Sequence, residues 1–245
     1  MTITRRTFVA GAAAVAAAHH ERLINEVLGR RTTRQSPGGV LLFQGDSITD
    51  CGRNRRSTAA NDPGGLGTGY PLLLASEVRN RRTDRDYQVY NRGVSGNTVE
   101  DLRARWNTDT LALKPSVLSI LIGVNDIWHT RGGTYNGTVE KYEAGYDALL
   151  ADTRDALPPV WLIVMEPFVL RTGAVSDDWF PEFDRYRAVA KRVAERHKAT
   201  FVPLHDMFQD LARKAPSSYW LGDGVHPTLA GHAAIADEWL ARTGL

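Results

Sequence analysis

The chain has one cysteine in 245 residues. That single thiol, Cys51, excludes an intramolecular disulfide and any zinc site built on cysteines. No apolar run approaches the roughly 20 residues a helix needs to span a bilayer, so stable membrane insertion is not expected. An excess of one charge is also missing: 30 basic side chains stand against 28 acidic ones, a formal net charge of +2. That balance leaves no electrostatic surplus for gripping a nucleic-acid backbone. No H-E-x-x-H or comparable spacing of ligands points to a metal, and no cofactor is expected. What remains, 42% hydrophobic and 24% charged residues, suffices for a sizeable core, and α/β folds of this length often form one domain.

Residues 1–18, M-T-I-T-R-R-T-F-V-A-G-A-A-A-V-A-A-A, differ from the rest. Two arginines, one Phe and an uncharged Ala/Gly/Val run have the layout of a signal peptide. Thr4-Arg5-Arg6-Thr7-Phe8-Val9 resembles the twin-arginine export motif, and Ala16-Ala17-Ala18 offers a small-residue cleavage site. The expected location is therefore extracytoplasmic. The competing reading is an Ala-rich helix that stays attached, leaving the protein cytoplasmic. Loss of Arg5 and Arg6 would leave equal numbers of basic and acidic side chains. Residues 19–38 hold one weak helical stretch and a polar, basic linker, and the main domain is expected over 39–245.

From Val40 onward, short apolar runs alternate with longer amphipathic segments, the pattern of a parallel sheet covered by helices on both faces. Strands are expected at 40–44, 87–91, 117–122, 160–165 and 200–203. Helices are expected at 71–82, 99–106, 139–156, 181–197, 205–214 and 228–243, where apolar residues recur at three- and four-residue intervals. The fold class is α/β, a single three-layer α/β/α domain with a five-stranded, flavodoxin-like parallel sheet.

Such sheets bind ligands outside the carboxyl ends of their strands. That rule selects Gly45-Asp46-Ser47, residues 92–97, Gly123-Val124-Asn125-Asp126 and Glu166-Pro167-Phe168, with Asp223-Gly224-Val225-His226-Pro227 before the last helix. A serine becomes a nucleophile when a base takes its proton and a third group fixes the tautomer of that base. Ser47, His226 and Asp223 can fill these roles, and Asp223 and His226 are close enough to share one loop. The Ser47 amide, the Gly96 amide and the Asn125 side chain can supply donors for the negative oxygen of a tetrahedral intermediate.

Gly45-Asp46-Ser47, Gly96 within residues 91–98, Asn125 within Gly123-Val124-Asn125-Asp126, and Asp223-Gly224-Val225-His226-Pro227, in this order across about 200 residues, resemble the four blocks of SGNH (GDSL) hydrolases. The resemblance implies Ser47 as nucleophile, His226 as base, Asp223 as its partner, and Ser47, Gly96 and Asn125 as oxyanion donors. It also implies a flavodoxin-like three-layer fold. The longer strings F-Q-G-D-S-I-T-D-C-G-R, G-L-G-T-G-Y, G-V-S-G-N-T-V-E-D-L-R-A-R-W and G-V-N-D-I-W look like bacterial GDSL acetylesterases that deacetylate xylan-derived oligosaccharides. The expected partner is thus a small or oligosaccharide ester, and self-association is left open. The in-class alternative is a lysophospholipase or thioesterase for longer acyl chains; the non-enzymatic one is a carbohydrate-binding module on a decayed hydrolase fold.

Each residue also has a plainer reading. Ser47 alone would be a helix cap; Ser95 is a rival serine without a nucleophile elbow; His129 lines the pocket or sits on the surface. Trp128, Tyr70, Trp179 and Trp220 are expected in loops near the site. Trp128 and Tyr70, with Asp46 and Asp126, are expected to contact substrate. A glycosidase pair built from Asp46, Asp126 and Asp223 is disfavoured, since Asp46 is more simply a turn residue. Asp50 and Arg53 contact substrate or pair with each other. Cys51 reads as a small buried residue. The glycine-rich run 64–69 reads as a mobile wall or a plain loop, and Glu166 has no assigned role.

Overall fold

Runs of apolar residues buried on both faces make strands. The computed structural model of the chain describes residues 36–245 and has five strands in one sheet. They are β1 (Ser36–Gly45), β2 (Arg85–Asn91), β3 (Val117–Leu121), β4 (Trp161–Met165) and β5 (Thr200–Val202). Their spatial order is β2-β1-β3-β4-β5, the flavodoxin-like order. β1, β3, β4 and β5 pair in parallel, with Leu41 opposite Val117, Val117 opposite Trp161 and Ile163 opposite Thr200. All five expected runs are strands. β1 begins earlier than its apolar run, so residues 36–38, expected as linker, belong to the sheet. There Gly38 lies so near β2 that a Cβ would come within 2.6 Å of the Tyr87 nitrogen. The leader expected at 1–18 and the stretch 19–35 lie outside the described residues.

Parallel strands need crossovers, and amphipathic helices supply them. α1 (Ser47–Asp50), α2 (Pro63–Leu66) and α3 (Tyr70–Arg81) follow β1, and α4 (Val99–Asp109) follows β2. After β3 come α5 (Val124–Arg131) and α6 (Val139–Ala156), and after β4 comes α7 (Glu182–Arg196). α8 (Leu204–Ala212), α9 (Ser217–Trp220) and α10 (Leu229–Thr243) follow β5. The step from β1 to β2 runs opposite to every later step. Right-handed crossovers therefore put α3 on one face and α4, α6 and α7 on the other. α10 packs beside α3, while α4, α6 and α7 pack in succession. Side-chain caps set several starts: Thr98 and Asp101 form a reciprocal capping box at α4, and Thr138 and Thr228 cap α6 and α10.

The core follows from this layering. Leu41, Leu42 and Phe43 of β1 are fully buried, and every residue of β3 is buried. Phe43 packs between Tyr70 and Trp239, with ring centroids 5.7 and 5.9 Å away. No helix among the described residues is long and apolar enough to cross a membrane. A polar group sits in the middle of β3: Ser119 Oγ accepts from Trp239 Nε1 at 3.0 Å and donates to Met165 Sδ at 3.3 Å. Ser119→Ala would leave the buried indole N–H unpaired. Equilibrium urea unfolding is expected to show a loss of about 1–3 kcal/mol, with unchanged activity per folded molecule. A loss well under 1 kcal/mol would mean that the indole finds another acceptor.

Candidate active site

The carboxyl end of β1 runs through Gly45 and Asp46 into α1, whose first residue is Ser47. Asp46 is the cap of this turn: its Oδ1 accepts from the Ile48 N–H at 3.0 Å. The turn presents Ser47 half-buried at the carboxyl end of the sheet. The other half of the constellation comes from a loop closed by an antiparallel bridge between Leu221 and Pro227. Inside it, Asp223 Oδ1 accepts from the N–H groups of Val225 (2.9 Å) and His226 (2.7 Å), an Asx turn that folds the carboxylate back toward the imidazole. Gly224 has φ +92°, and a Cβ there would lie 2.3 Å from the Thr172 oxygen, so both conformation and space call for glycine.

Asp223 Oδ2 lies 2.7 Å from His226 Nδ1, and His226 Nε2 lies 2.8 Å from Ser47 Oγ. A carboxylate can only accept, so Nδ1 carries the proton and Nε2 presents its lone pair to the serine hydroxyl. Burial pushes the Asp223 carboxyl up. The N–H groups and imidazole of His226 and the Val225 N–H outweigh this and hold it below the ordinary carboxylate range. The carboxylate is therefore ionised at neutral pH. The loop rests on residues after β4, which sequence reading had not selected: Leu170 N donates to Gly224 O and Ala174 N to Asp223 O.

The expected oxyanion donors come from two further strand ends. Gly96 lies in the turn after β2 with φ +86°, and its N–H has no hydrogen-bond partner among the described residues. Asn125 sits in the first turn of α5, buried, with Nδ2 donating to Asn97 O at 3.1 Å. Arg105, which the sequence reading gave no role, binds the same turn through Asn97 Oδ1 and Arg92 O, both at 2.8 Å.

Trp128 was expected in a loop but lies on α5, one turn after Asn125. Its ring stands 6.0 Å from that of His226 and 5.7 Å from Trp179. Three expected substrate contacts are corrected by burial. Tyr70 is fully buried at the start of α3, with its hydroxyl 2.8 Å from Thr49 Oγ1. Asp46 is 1% exposed and occupied in capping. Asp126 is 1% exposed, and both its oxygens accept from the Val99 N–H at the head of α4. Burial pushes the carboxyls of Asp46 and Asp126 each up to about 7, the negative charge of Asp46 contributing to the rise at Asp126.

Asp50 and Arg53 are buried and face each other at 3.7 Å. The run 64–69 includes the helical turn α2, capped by Asp62 on the Gly65 N–H. His129 is half-buried near Gly96, where Cε1 would lie 4.0 Å from a Cβ. Cys51 is partly exposed, 3.2 Å from His232 Nε2. Glu166 is tied to Arg187 and to the His205 N–H. Trp179 is buried behind Trp128.

The sequence profile of the GDSL-like Lipase/Acylhydrolase family matches residues 43–234. An acetylxylan esterase of Geobacillus stearothermophilus is 35% identical over 211 residues, covering 84% of this chain and 94% of that protein. The crystal structure of an acetylxylan esterase from Geobacillus stearothermophilus superposes with TM-score 0.77 at 34% identity, covering 87% of this chain and 97% of that one. A Parabacteroides merdae structure named as a GDSL-like lipase gives TM-score 0.83 at 46% identity, covering 86% of this chain and 98% of that one.

The two buried carboxyls carry a testable sign. Asp126 ionises near 3.9 when unfolded and about 7 when folded, so between those values the folded chain binds the extra proton and stability falls as pH rises. The stability of Asp126→Asn relative to the unmodified chain is expected to improve from pH 5 to pH 8 in urea titrations. A difference independent of pH would place the charged form in the folded core at pH 5.

Proposed function

The chain belongs to the GDSL-like lipase/acylhydrolase family and is a carboxylic ester hydrolase, and on that premise we propose that it removes O-acetyl groups from carbohydrates of the xylan or xylooligosaccharide type. The observation that carries the chemistry is the unbroken hydrogen-bonded line from Asp223 through His226 to Ser47. Ser47 Oγ attacks the ester carbonyl while His226 Nε2 takes its proton, and the ionised Asp223 stabilises the resulting imidazolium. The Ser47 and Gly96 amides and Asn125 Nδ2 hold the oxyanion, each donor being worth about 10²–10³ in rate. Collapse expels the sugar oxygen, which takes the proton back from His226. A water deprotonated by His226 then attacks the acetyl-serine, and collapse of this second tetrahedral intermediate breaks the bond to Ser47 Oγ, which takes the proton from His226 as acetate leaves.

The substrate reading rests on two supports. The relative 35% identical over 211 residues is an acetylxylan esterase. Trp128, beside His226 and braced by Trp179, offers an aromatic face on which a sugar ring can lie. The test measures acetate release from acetylated xylooligosaccharides beside hydrolysis of p-nitrophenyl acetate and octanoate. Turnover of the sugar and the acetate ester is expected, and Ser47→Ala is expected to lose about 10³-fold or more in kcat while folding normally. Preference for octanoate with no sugar deacetylation would move the enzyme to longer acyl substrates, and a near-normal rate in Ser47→Ala would sink the mechanism.

We also propose that residues 1–18 direct export by the twin-arginine route. Secreted protein is expected to begin at His19, and replacing Arg5 and Arg6 by lysine is expected to retain it in the cytoplasm. Secreted protein that still begins at Met1 would reject the cleaved leader.

A further inference from the structure

The reaction as read above needs the Gly96 amide and the Ser47 turn in register, although they belong to different strand ends. The groups that tie them together centre on one carboxylate. Asp50 closes α1 three residues after Ser47, with its own N–H on Asp46 O at 2.8 Å. Its side chain is 5% exposed. Asp50 Oδ2 accepts from both the N–H (3.0 Å) and the O–H (2.8 Å) of Ser95, and from the Arg55 guanidinium. Asp50 Oδ1 faces Arg53, whose Nε donates to Gly93 O at 2.7 Å. At Gly93 the turn presses directly on α1: a Cβ there would lie 2.5 Å from the Asp50 nitrogen.

Gly96 is the next residue after Ser95. A Cβ on it would meet only His129 Cε1, at 4.0 Å, so the side of Gly96 where a side chain would stand is open. Its direction is set by its neighbours: Asp50 holds Ser95, while Asn125 and Arg105 hold Asn97. Of these grips, that of Asp50 comes from the nucleophile's own turn. Burial pushes the Asp50 carboxyl up, but Arg55 and Ser95 more than offset this, so both Ser95 bonds are charge-assisted and correspondingly strong.

We propose that Asp50 is a positioning residue, which holds Ser95 so that the Gly96 amide and the Ser47 amide face one point. This rests on the roles given to Ser47 and Gly96 above. The experiment measures kcat and KM on p-nitrophenyl acetate, and Ki for phenylboronic acid, whose tetrahedral serine adduct occupies the oxyanion position. It uses the unmodified enzyme, Asp50→Ala, Ser95→Ala and Ser47→Ala, with folding checked by circular dichroism.

Misalignment of one donor costs no more than its removal, so Asp50→Ala is expected to lose about 10- to 100-fold in kcat, with a parallel weakening of the boronate and KM within about threefold. Ser95→Ala, which keeps the amide bond, is expected to show a smaller parallel loss. Asp50→Ala with kcat and Ki within about twofold of the unmodified enzyme overturns the proposal, as does a loss confined to KM. If Asp50→Ala does not fold, Ser95→Ala decides: kcat and Ki moving together supports the role, and neither moving rejects it. An inactive Ser47→Ala beside an unaffected Asp50→Ala rejects only the positioning role. An active Ser47→Ala rejects the reading on which it rests.

Discussion

The hydrogen bond between Asp223 and His226 is the constraint around which the site is arranged. A neutral imidazole has two tautomers, and only the one protonated at Nδ1 leaves a lone pair facing Ser47. Asp223 selects that tautomer because its carboxylate is kept ionised by the two backbone N–H groups it folds onto. The short loop that makes this turn is backed by residues 170–174 and closed by the Leu221–Pro227 bridge. A carboxylate, a turn and a supporting segment thus act together to fix one proton on one ring nitrogen.

The remaining groups reach that imidazole because all the strands present the same end to it. Ser47 follows β1, Gly96 lies beyond β2 and Asn125 follows β3. β1 stands between β2 and β3, so these three turns are neighbours in space although far apart in sequence. Each is then locked to the next by side chains, with Asp50 reaching the Gly96 turn from one side and Asn125 and Arg105 from the other. Beneath them, Asp46 and Asp126 are buried with pKa values raised to about 7. That keeps much of the negative charge away from a region where an oxyanion must be accommodated.

The sheet was largely legible in the sequence because doubly covered strands leave unbroken apolar runs, as at 117–122 and 160–165. The helix at α6 was legible for the corresponding reason, a sustained three- and four-residue spacing. α5 was not, because residues 124–131 mix Asn, Asp, Trp and His, and their helicity depends on what surrounds them. Missing that helix hid the one-turn relation that puts Trp128 beside the site with Asn125. The polar residues divide differently. Asp46, Asp126 and Tyr70 are types that suit substrate contact and equally suit capping a turn or filling a core; burial separates the two, and one sequence does not display it. The supports at Leu170, Ala174 and Arg105 act through backbone groups or long-range contacts, for which local composition has no signature.

The contact between Ser47 and His226 joins residues 179 positions apart. The aspartate–histidine pair is local, formed within a four-residue turn, whereas its meeting with the serine exists only once the loop before α10 has docked against the end of β1. During synthesis the nucleophile and the oxyanion turn therefore emerge long before the base. A growing chain carries an unactivated serine until residue 226 is out of the ribosome and in place, so the order of translation itself delays reactivity until the sheet is complete.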